Sequence, residues 1–502
     1  MDVNANNERE AREGEEVIFI DTGLLQKAAQ GLQRAKEEFR ALLDRAESGD
    51  SSAWCDLAVR YSEGDGVEKD MEAAVRWFTK AAENDDLRAV TMLGRCYQSG
   101  SGIEKDEARA VELYRRAADE GYVPALCDLG LCYENAGGVE EDKARAAELY
   151  QQAAEQEYAP AQCNLGVCYL SGIGVEKDAE AAVSWLEKAV EQEFPRAQDI
   201  LGDCYWDGTG VEQDREQSAK LYRQAADQGF ARAMCNLGLC YEHGDGVEED
   251  KAQAVEWYRR SALNNYAPGM CNLGVLLLHG VGVEEDPVQA AEWFQKSADA
   301  GHPRAMDLLG DCYLEGRGVE KDQPRAVELY RKAADMDYPP AQCDLGLCYE
   351  NGTGVEADKL QAAQLYRKSA ERKYPPALCN LGVCYLNGIG VSMDEKAGAE
   401  WLQKAVDEGS VRAASILGDC YLDGTGVEVD TARALELYQT AIDKGYLPAI
   451  CAMGLCYENG NGVEKDEAKA VEYYLRAAEQ GYPAAQCNLA FCYLVGIGGE
   501  KD

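Results

Sequence analysis

Cysteine and histidine are the residue types in this chain that most readily bind metals or act as nucleophiles. The chain has 20 cysteines and 3 histidines. Most cysteines form pairs five residues apart, such as Cys343 and Cys348, and residues five apart on a helix point about 140° away from each other. No Cys-x-x-Cys occurs, and His243 and His279 have no further ligand at metal-binding spacing. We therefore expect small, buried, reduced thiols, with no metal, no cofactor and no catalytic residue.

Carboxylates are the second group that could do chemistry. Asp199 and Asp203 are four residues apart, as are Asp307 and Asp311, so each pair lies on one face of a helix. An unpaired carboxylate is costly to bury. A position that faces a ligand therefore explains these aspartates better than a position in a core, and packing against an adjacent helix is the alternative.

The charge balance limits the classes of partner. Aspartate and glutamate total 91 against 50 lysines and arginines, which gives a net charge of −41. Such a surface repels phosphate backbones and anionic lipid headgroups, so we expect neither a nucleic acid nor a membrane as the partner. Residues 1–10 contain no apolar segment typical of a secretory signal, and no run is apolar and long enough to span a bilayer. Together with the reduced thiols, this predicts a cytoplasmic protein.

A tyrosine that recurs every 36 residues organises the chain, and Leu277 occupies one place in the series. A fixed period of about 20–50 residues predicts a solenoid in which one supersecondary unit is repeated. The tyrosines of this series are Tyr61, Tyr97, Tyr133, Tyr169, Tyr205, Tyr241, Tyr313, Tyr349, Tyr385, Tyr421, Tyr457 and Tyr493.

Each unit encodes two helices joined by a tight turn, as residues 339–374 illustrate. Leu345 and Tyr349 are four residues apart and share an apolar face of the first helix. Gly352 is expected to end that helix in a left-handed conformation. Asp358 is expected to cap the start of the second helix, whose apolar stripe includes Tyr366.

The same pattern divides the chain into three parts. Residues 1–21 are predicted to be a disordered N-terminus. Residues 22–50 are predicted to form a capping helix that covers the first repeat. Residues 51–502 are predicted to form twelve full repeats and a truncated thirteenth, which suggests a fragment of a longer array.

The repeat carries a recognisable signature. Its first half reads A-x-x-x-L-G-x-x-Y-x-x-G-x-G-V-x-x-D, as from Ala161 to Asp178, and its second half reads A-x-x-W/Y-x-x-x-A-A-x-x-G, as from Ala470 to Gly481. This resembles the Sel-one-like repeat (SLR), a relative of the tetratricopeptide repeat. The resemblance implies an all-α fold, a right-handed superhelical α/α solenoid that binds proteins without catalysis. Cysteine-rich extracellular members pair thiols between the two helices of a repeat, but the second helices here contain no cysteine.

A second period of three repeats overlies the first. The residue before the second cysteine of the first helix changes in turn among aspartate, leucine and valine, as in Asp311, Leu347 and Val383, and each type recurs 108 residues later. Duplication of a three-repeat block explains this pattern, and selection by a periodic ligand is the alternative.

The resemblance to tetratricopeptide arrays implies that the first helices line a concave surface, with exposed residues six and two before the repeat tyrosine and one after it. Acidic positions would then alternate with apolar ones, which predicts a basic, partly apolar peptide or protein as the ligand. The predicted partner-binding residues at these places are Asp199, Asp203, Trp206, Asp307, Asp311, Leu314, Asp419, Leu422, Leu239, Glu242, Leu347, Glu350, Val167, Leu170, Val383 and Leu386.

Two asparagines complete the predicted site. Asn236 and Asn380 directly precede Leu-Gly, and in tetratricopeptide relatives an asparagine at this place can contact a ligand backbone. In other repeats Asp128 and Asp344 replace it, which weakens that interpretation. A hydrogen bond between repeats is the alternative.

The sequence therefore predicts a non-enzymatic scaffold or adaptor that binds a protein or peptide on a concave face. One alternative is the β-lactam hydrolysis described for some family members, for which the chain shows no Ser/Lys or Cys/His arrangement. The other alternative is a passive structural spacer. No oligomeric state follows from these patterns.

Overall fold

The computed structural model describes residues 22–496, and their side chains from residue 30 onward. All of the regular structure in this range is helical. The predicted all-α fold of 36-residue helix–turn–helix repeats is confirmed. The prediction of a disordered N-terminus falls on residues 1–21, which lie outside the described range.

The first twelve repeats each contribute one first helix and one second helix, and the thirteenth contributes a first helix among the described residues. A long helix α1 (Thr22–Glu47) precedes them. A 3-10 turn at Ser51–Ala53 leads into the first repeat. The first helices are α2 (Trp54–Glu63), α4 (Leu87–Ser99), α6 (Val123–Asn135), α8 (Ala159–Ser171), α10 (Pro195–Asp207), α12 (Ala231–His243), α14 (Ala267–His279), α16 (Pro303–Glu315), α18 (Pro339–Asn351), α20 (Pro375–Asn387), α22 (Val411–Asp423), α24 (Leu447–Asn459) and α26 (Pro483–Val495). The second helices are α3 (Met71–Ala82), α5 (Glu107–Asp119), α7 (Lys143–Ala154), α9 (Ala179–Glu191), α11 (Arg215–Asp227), α13 (Lys251–Leu263), α15 (Pro287–Asp299), α17 (Gln323–Asp335), α19 (Lys359–Glu371), α21 (Glu395–Asp407), α23 (Thr431–Asp443) and α25 (Glu467–Ala478).

The helix ends follow the expected capping chemistry. Asp358 accepts a hydrogen bond from the backbone N–H of Gln361 at 3.0 Å, which satisfies one of the free donors at the start of α19. Gly352 ends α18 at φ 70°, in the left-handed region that glycine adopts without strain. Because these residues recur in phase, the helices of successive repeats begin and end at equivalent positions.

The two helices of a repeat touch through a glycine. An added Cβ on Gly346 would lie 2.6 Å from the ring of Tyr366, so α18 and α19 meet at a separation that no larger residue permits. Tyr366 itself is fully buried. Gly310 makes the same contact with Tyr330, whereas Gly382 meets Leu402 and Ala58 takes the glycine's place in the first repeat.

The chain divides into two compact units, residues 1–228 (unit 1) and residues 229–502 (unit 2). In unit 1, α1 packs on the first repeat: the rings of Phe39 and Tyr61 meet edge to face at 5.2 Å, and the Trp54 indole donates a hydrogen bond to the Ala46 carbonyl at 3.0 Å. In unit 2, one continuous apolar core runs from Cys235 to Cys492.

Candidate functional site

The predicted site residues occupy a few fixed places in the repeat. Counting the first residue of each repeat as position 1, so that Pro339 is position 1 of residues 339–374, the predicted contacts fall at positions 5, 9 and 12 of the first helix, and the asparagines fall at position 6. The repeat tyrosine is position 11, and the core aromatic of the second helix is position 28. We call the surface formed by positions 6, 9 and 12 the variable face.

Position 5 is buried, so the expectation that it is exposed is wrong. Asp199 is fully buried and Asp307 is 6% exposed. The reason is that the first helix of the next repeat covers this position. In unit 2 the Asn380 amide at position 6 donates to the Cys343 sulfur, position 5 of the preceding repeat, at 3.5 Å.

The acidic residues at positions 9 and 12 have a structural partner that the sequence analysis missed. The Tyr330 hydroxyl donates to the Asp311 carboxylate at 2.7 Å, and the Tyr366 hydroxyl donates to the Glu350 carboxylate at 2.6 Å. The tyrosines are buried at position 28, and a buried hydroxyl without an acceptor is unfavourable. These carboxylates therefore supply, from the edge of the core, the hydrogen-bond acceptors that the buried tyrosine hydroxyls need.

One acceptor serves each of these tyrosines. In three repeats it is the aspartate at position 9, with an apolar residue at position 12; in four it is the glutamate at position 12, with leucine at position 9. The aspartate pairs are Tyr222 with Asp203, Tyr330 with Asp311 and Tyr438 with Asp419. The glutamate pairs are Tyr150 with Glu134, Tyr258 with Glu242, Tyr366 with Glu350 and Tyr474 with Glu458.

The remaining repeats obey the same rule. Where position 28 has no hydroxyl, positions 9 and 12 have no carboxylate: this holds for Phe78, Leu186, Phe294 and Leu402. In residues 87–122, where position 9 is Arg95, the Tyr114 hydroxyl donates to the amide oxygen of Gln98 at 3.0 Å. The three-repeat period thus follows the identity of the residue that accepts the hydrogen bond of the core tyrosine.

The apolar side chains of the variable face are partly accessible to solvent. Leu347 is 39% exposed, and Leu131 and Leu455, at the same position in other repeats, are 36% and 42% exposed. The other predicted apolar contacts are half-buried: Val167, Leu170, Leu239, Leu314, Val383, Leu386 and Leu422. Trp206, also half-buried, lies under the Arg215 guanidinium, 3.9 Å from the ring centroid.

The position 6 asparagines connect neighbouring repeats. Asn380 is buried; it accepts a hydrogen bond from Arg412 of the next repeat at 2.6 Å and donates to Cys343 of the previous one. Asn164 makes the same two contacts with Arg196 and Cys127. These contacts are the structural alternative that the sequence left open. Asn236 is half-buried at the equivalent place.

Asp307 on α16 and Asp344 on α18 differ from the tyrosine-paired aspartates. The Asp307 Oδ1 is buried without a hydrogen-bond partner among the described residues. Burial, followed by the negative charges of Asp344 and Asp311, raises the pKa of Asp307 to about 8. Burial and the charge of Asp311 raise the pKa of Asp344 to about 7. Near neutral pH this part of unit 2 therefore holds carboxyl groups that are not fully ionised.

This predicts that Asp307→Asn stabilises the fold at neutral and higher pH. The folded-state pKa of about 8 lies above the ordinary value of 3.8, so the stability gained from the neutral carboxyl is complete below about pH 4 and is lost as pH rises towards about 8. Asparagine has no such loss. In urea unfolding, the stability difference between the variant and the wild type should grow across that window.

The control for this prediction is Asp335→Asn, which removes one negative charge from an exposed residue at the end of α17. Its effect should be small throughout. A difference between Asp307→Asn and the wild type that does not change with pH would contradict the assigned protonation of Asp307.

The thiols and histidines show no arrangement for catalysis or metal binding in the described range. Burial raises the pKa of Cys271 to about 11, which opposes formation of the nucleophilic thiolate. His243 and His279 are both exposed. No group of three or more histidine, cysteine, aspartate or glutamate side chains among residues 30–496 is placed to hold a metal ion. No helix in the described part of the chain combines the length and apolar character needed to cross a membrane.

Comparison with known proteins agrees with this repeat geometry. A solved structure from uropathogenic Escherichia coli strains, the protective antigen c5321 with an SLR fold, is 32% identical and covers 90% of this chain and 96% of its own, with a TM-score of 0.56. A Sel1 repeat protein from Oxalobacter formigenes is 33% identical and covers 49% of this chain and 96% of its own, with a TM-score of 0.45. No curated protein matches the chain. Thirteen consecutive matches to the Sel1 repeat model cover residues 51–502. The chain belongs to the Sel1 repeat family.

Proposed function

We propose that this protein is a non-enzymatic interaction scaffold that binds a basic, partly apolar segment of a partner protein on the variable face of its first helices. The observation that carries this proposal is the exposed leucine at position 9. Leu347 and Leu455 of unit 2 are each more than one-third exposed and occupy the same place on first helices three repeats apart. A leucine that recurs at one partly exposed place of the repeat supports assigning that place to contact with a partner.

The charge around these leucines favours a basic ligand. Each lies one turn from the glutamate at position 12, Glu350 beside Leu347 and Glu458 beside Leu455. The net charge of the chain is −41, so a cationic segment is attracted and an anionic one is repelled. An extended or helical peptide with alternating apolar and basic residues fits this surface.

The test is selection from a random peptide library, because no partner is assumed. Wild-type protein is expected to enrich peptides rich in lysine, arginine and apolar residues. The double variant Leu347→Gln, Leu455→Gln is expected to bind the enriched peptides at least about tenfold more weakly, since buried apolar contacts dominate such sites.

The matched control is Leu360→Gln, Leu475→Gln, which changes two exposed leucines of the second helices. It should leave binding unchanged. If the wild type enriches no peptides, or if the control weakens binding as much as the test variant, the proposed binding face is refuted.

The competing functions make different predictions. A passive spacer would enrich no peptide at all. A β-lactam hydrolase would turn over a chromogenic β-lactam faster than buffer, and we expect no such turnover because burial raises the pKa of thiols such as Cys271.

We also propose that the protein works where thiols remain reduced. Cys343 and Cys348 are both buried and lie five residues apart on α18, so their side chains point about 140° away from each other and cannot bridge. A count of free thiols well below 20 after native purification would contradict a cytoplasmic location.

A further inference from the structure

A buried carboxyl without a partner marks one place in unit 2. Asp307 on α16 is 6% exposed, and its Oδ1 forms no hydrogen bond among the described residues. The carboxylates whose charges act on it are Asp344 on α18 and Asp311, one turn further along α16. Proteins avoid burying an unpaired acid unless something compensates for it.

Unit 1 shows how the chain compensates a carboxylate at position 6, the place of Asp344, with an internal arginine. Arg95 and Asp128 stand at the repeat positions that Asp311 and Asp344 occupy six repeats later. The Arg95 guanidinium binds both oxygens of Asp128, with Nε at 2.9 Å and an Nη at 3.3 Å. Position 5 of the Arg95 repeat is the neutral Thr91. In unit 2 the arginine is replaced by Asp311, and the threonine by Asp307.

Asp344 also lacks the second kind of internal cation, an arginine at position 2 of the next repeat. The Asp56 carboxylate, at position 6, is paired with Arg88, from position 2 of the next repeat, at 2.8 Å. The residue equivalent to Arg88 for Asp344 is Pro376, which carries no charge. The nearby Arg304 donates instead to the Asn272 amide oxygen at 2.9 Å. Among the described residues, Asp344 forms no hydrogen bond or ion pair.

We propose that Asp307, Asp311 and Asp344 form a receptor for one arginine side chain of the partner, whose guanidinium takes the place that Arg95 fills in unit 1. This rests on the proposed function and specifies the chemistry of one contact. A guanidinium fits because its donors reach carboxylates on two helices at once. A metal ion fits less well, because no group of described side chains is arranged as a metal site.

Binding at this receptor is coupled to protons. Asp307 and Asp344 carry raised pKa values in the free chain, and a bound guanidinium favours their ionised forms. Affinity should therefore rise with pH between about pH 6 and about pH 9, where exposed carboxylates do not titrate. The other charged and titratable groups around this cluster are Arg304, Glu315, Tyr330, Tyr338, Tyr374, Cys271, Cys312, Cys343 and Cys348.

The test uses acetyl-arginine amide as the probe and acetyl-citrulline amide as its uncharged counterpart, with the thermal unfolding midpoint of the full chain as the readout. Acetyl-arginine amide at millimolar concentration is expected to raise the midpoint, more at about pH 9 than at about pH 6. The citrulline compound should have no effect. In Asp307→Asn, Asp344→Asn the shift with the arginine compound should be lost. In the matched control Asp335→Asn, Glu371→Gln, which changes exposed carboxylates at the ends of the second helices α17 and α19, it should persist.

A second variant fills the receptor from within. Asp311→Arg, Leu314→Gln reproduces the arrangement of Arg95 and Gln98 in unit 1, including an acceptor for the tyrosine hydroxyl. This variant should fold, unfold at a higher temperature than the wild type and lose the response to acetyl-arginine amide. Equal shifts with the arginine and citrulline compounds, or an undiminished arginine response in this variant, would overturn the inference. If the library peptides still bound to the leucine face in that case, the proposed function would stand without this receptor.

Discussion

Replacing Gly390 with alanine is expected to destabilise unit 2 by about 2–4 kcal/mol, while the same change at Gly388, two residues earlier, should cost about 1 kcal/mol. Both glycines have positive φ, 67° and 66°, so both variants carry the strain of a left-handed alanine. The difference lies in space. A Cβ on Gly390 would lie 1.8 Å from the Lys359 carbonyl oxygen of the preceding repeat, whereas the nearest atom to a Cβ on Gly388 is 3.4 Å away.

The chain contains a natural precedent for the milder change. Ala136 stands at the place of Gly388 in another repeat, at φ 57°. The measurement is urea unfolding followed by circular dichroism, combined with hydrogen exchange of α19 and α20, because long repeat arrays do not always unfold in two states. Equal losses at the two positions would show that the turn does not set the approach of neighbouring repeats.

Glu350→Leu is expected to destabilise unit 2 by about 1–3 kcal/mol, and the further change Tyr366→Phe should recover most of that loss. The single change leaves the Tyr366 hydroxyl, which donates to Glu350 at 2.6 Å, without its acceptor inside the core. The double change recreates the apolar combination of the repeat in which Phe294 is at position 28 and Leu278 at position 12.

A double-mutant cycle measures this coupling directly. The coupling between Glu350 and Tyr366 should be at least about 1 kcal/mol, whereas Glu371→Leu, at an exposed glutamate that ends α19, should show none with Tyr366→Phe. Additive effects of Glu350→Leu and Tyr366→Phe would mean that the carboxylate is not needed to satisfy the tyrosine.

The fold could be predicted from the sequence because its determinants are local and recur in phase. Asp358 caps one helix through its own N-terminal turn, and Gly352 ends another by its own backbone conformation. Neither depends on residues far away in the chain. Repetition of such signals twelve times removes the ambiguity that a single instance would leave.

The site could be predicted only in part because burial depends on neighbouring repeats. Asp307 was expected at the surface, but the next first helix covers its position. The role of Asp311 depends on Tyr330, 19 residues later on the second helix. The sequence contained a signal for that pairing. In seven repeats with tyrosine at position 28, either position 9 is aspartate or position 12 is glutamate, and neither acid occurs where position 28 is phenylalanine or leucine.

The lack of a cationic partner for Asp344 follows from its neighbours in the structure. The sequence presents it as one of several substitutes for asparagine at position 6. Its character depends on two other places, which hold Asp311 and Pro376 where other repeats supply an arginine. The unpaired state of a carboxylate is a property of its surroundings, so it could not be read from the residue alone.

The most direct test of the proposed binding face is hydrogen exchange of the full chain with and without a basic peptide enriched from the library. The proposal predicts slower exchange in the first helices α16 and α18 of unit 2, which carry Asp307, Asp344 and Leu347, and little change in the second helices α17 and α19. Protection confined to α17 and α19, with α16 and α18 unchanged, would contradict it.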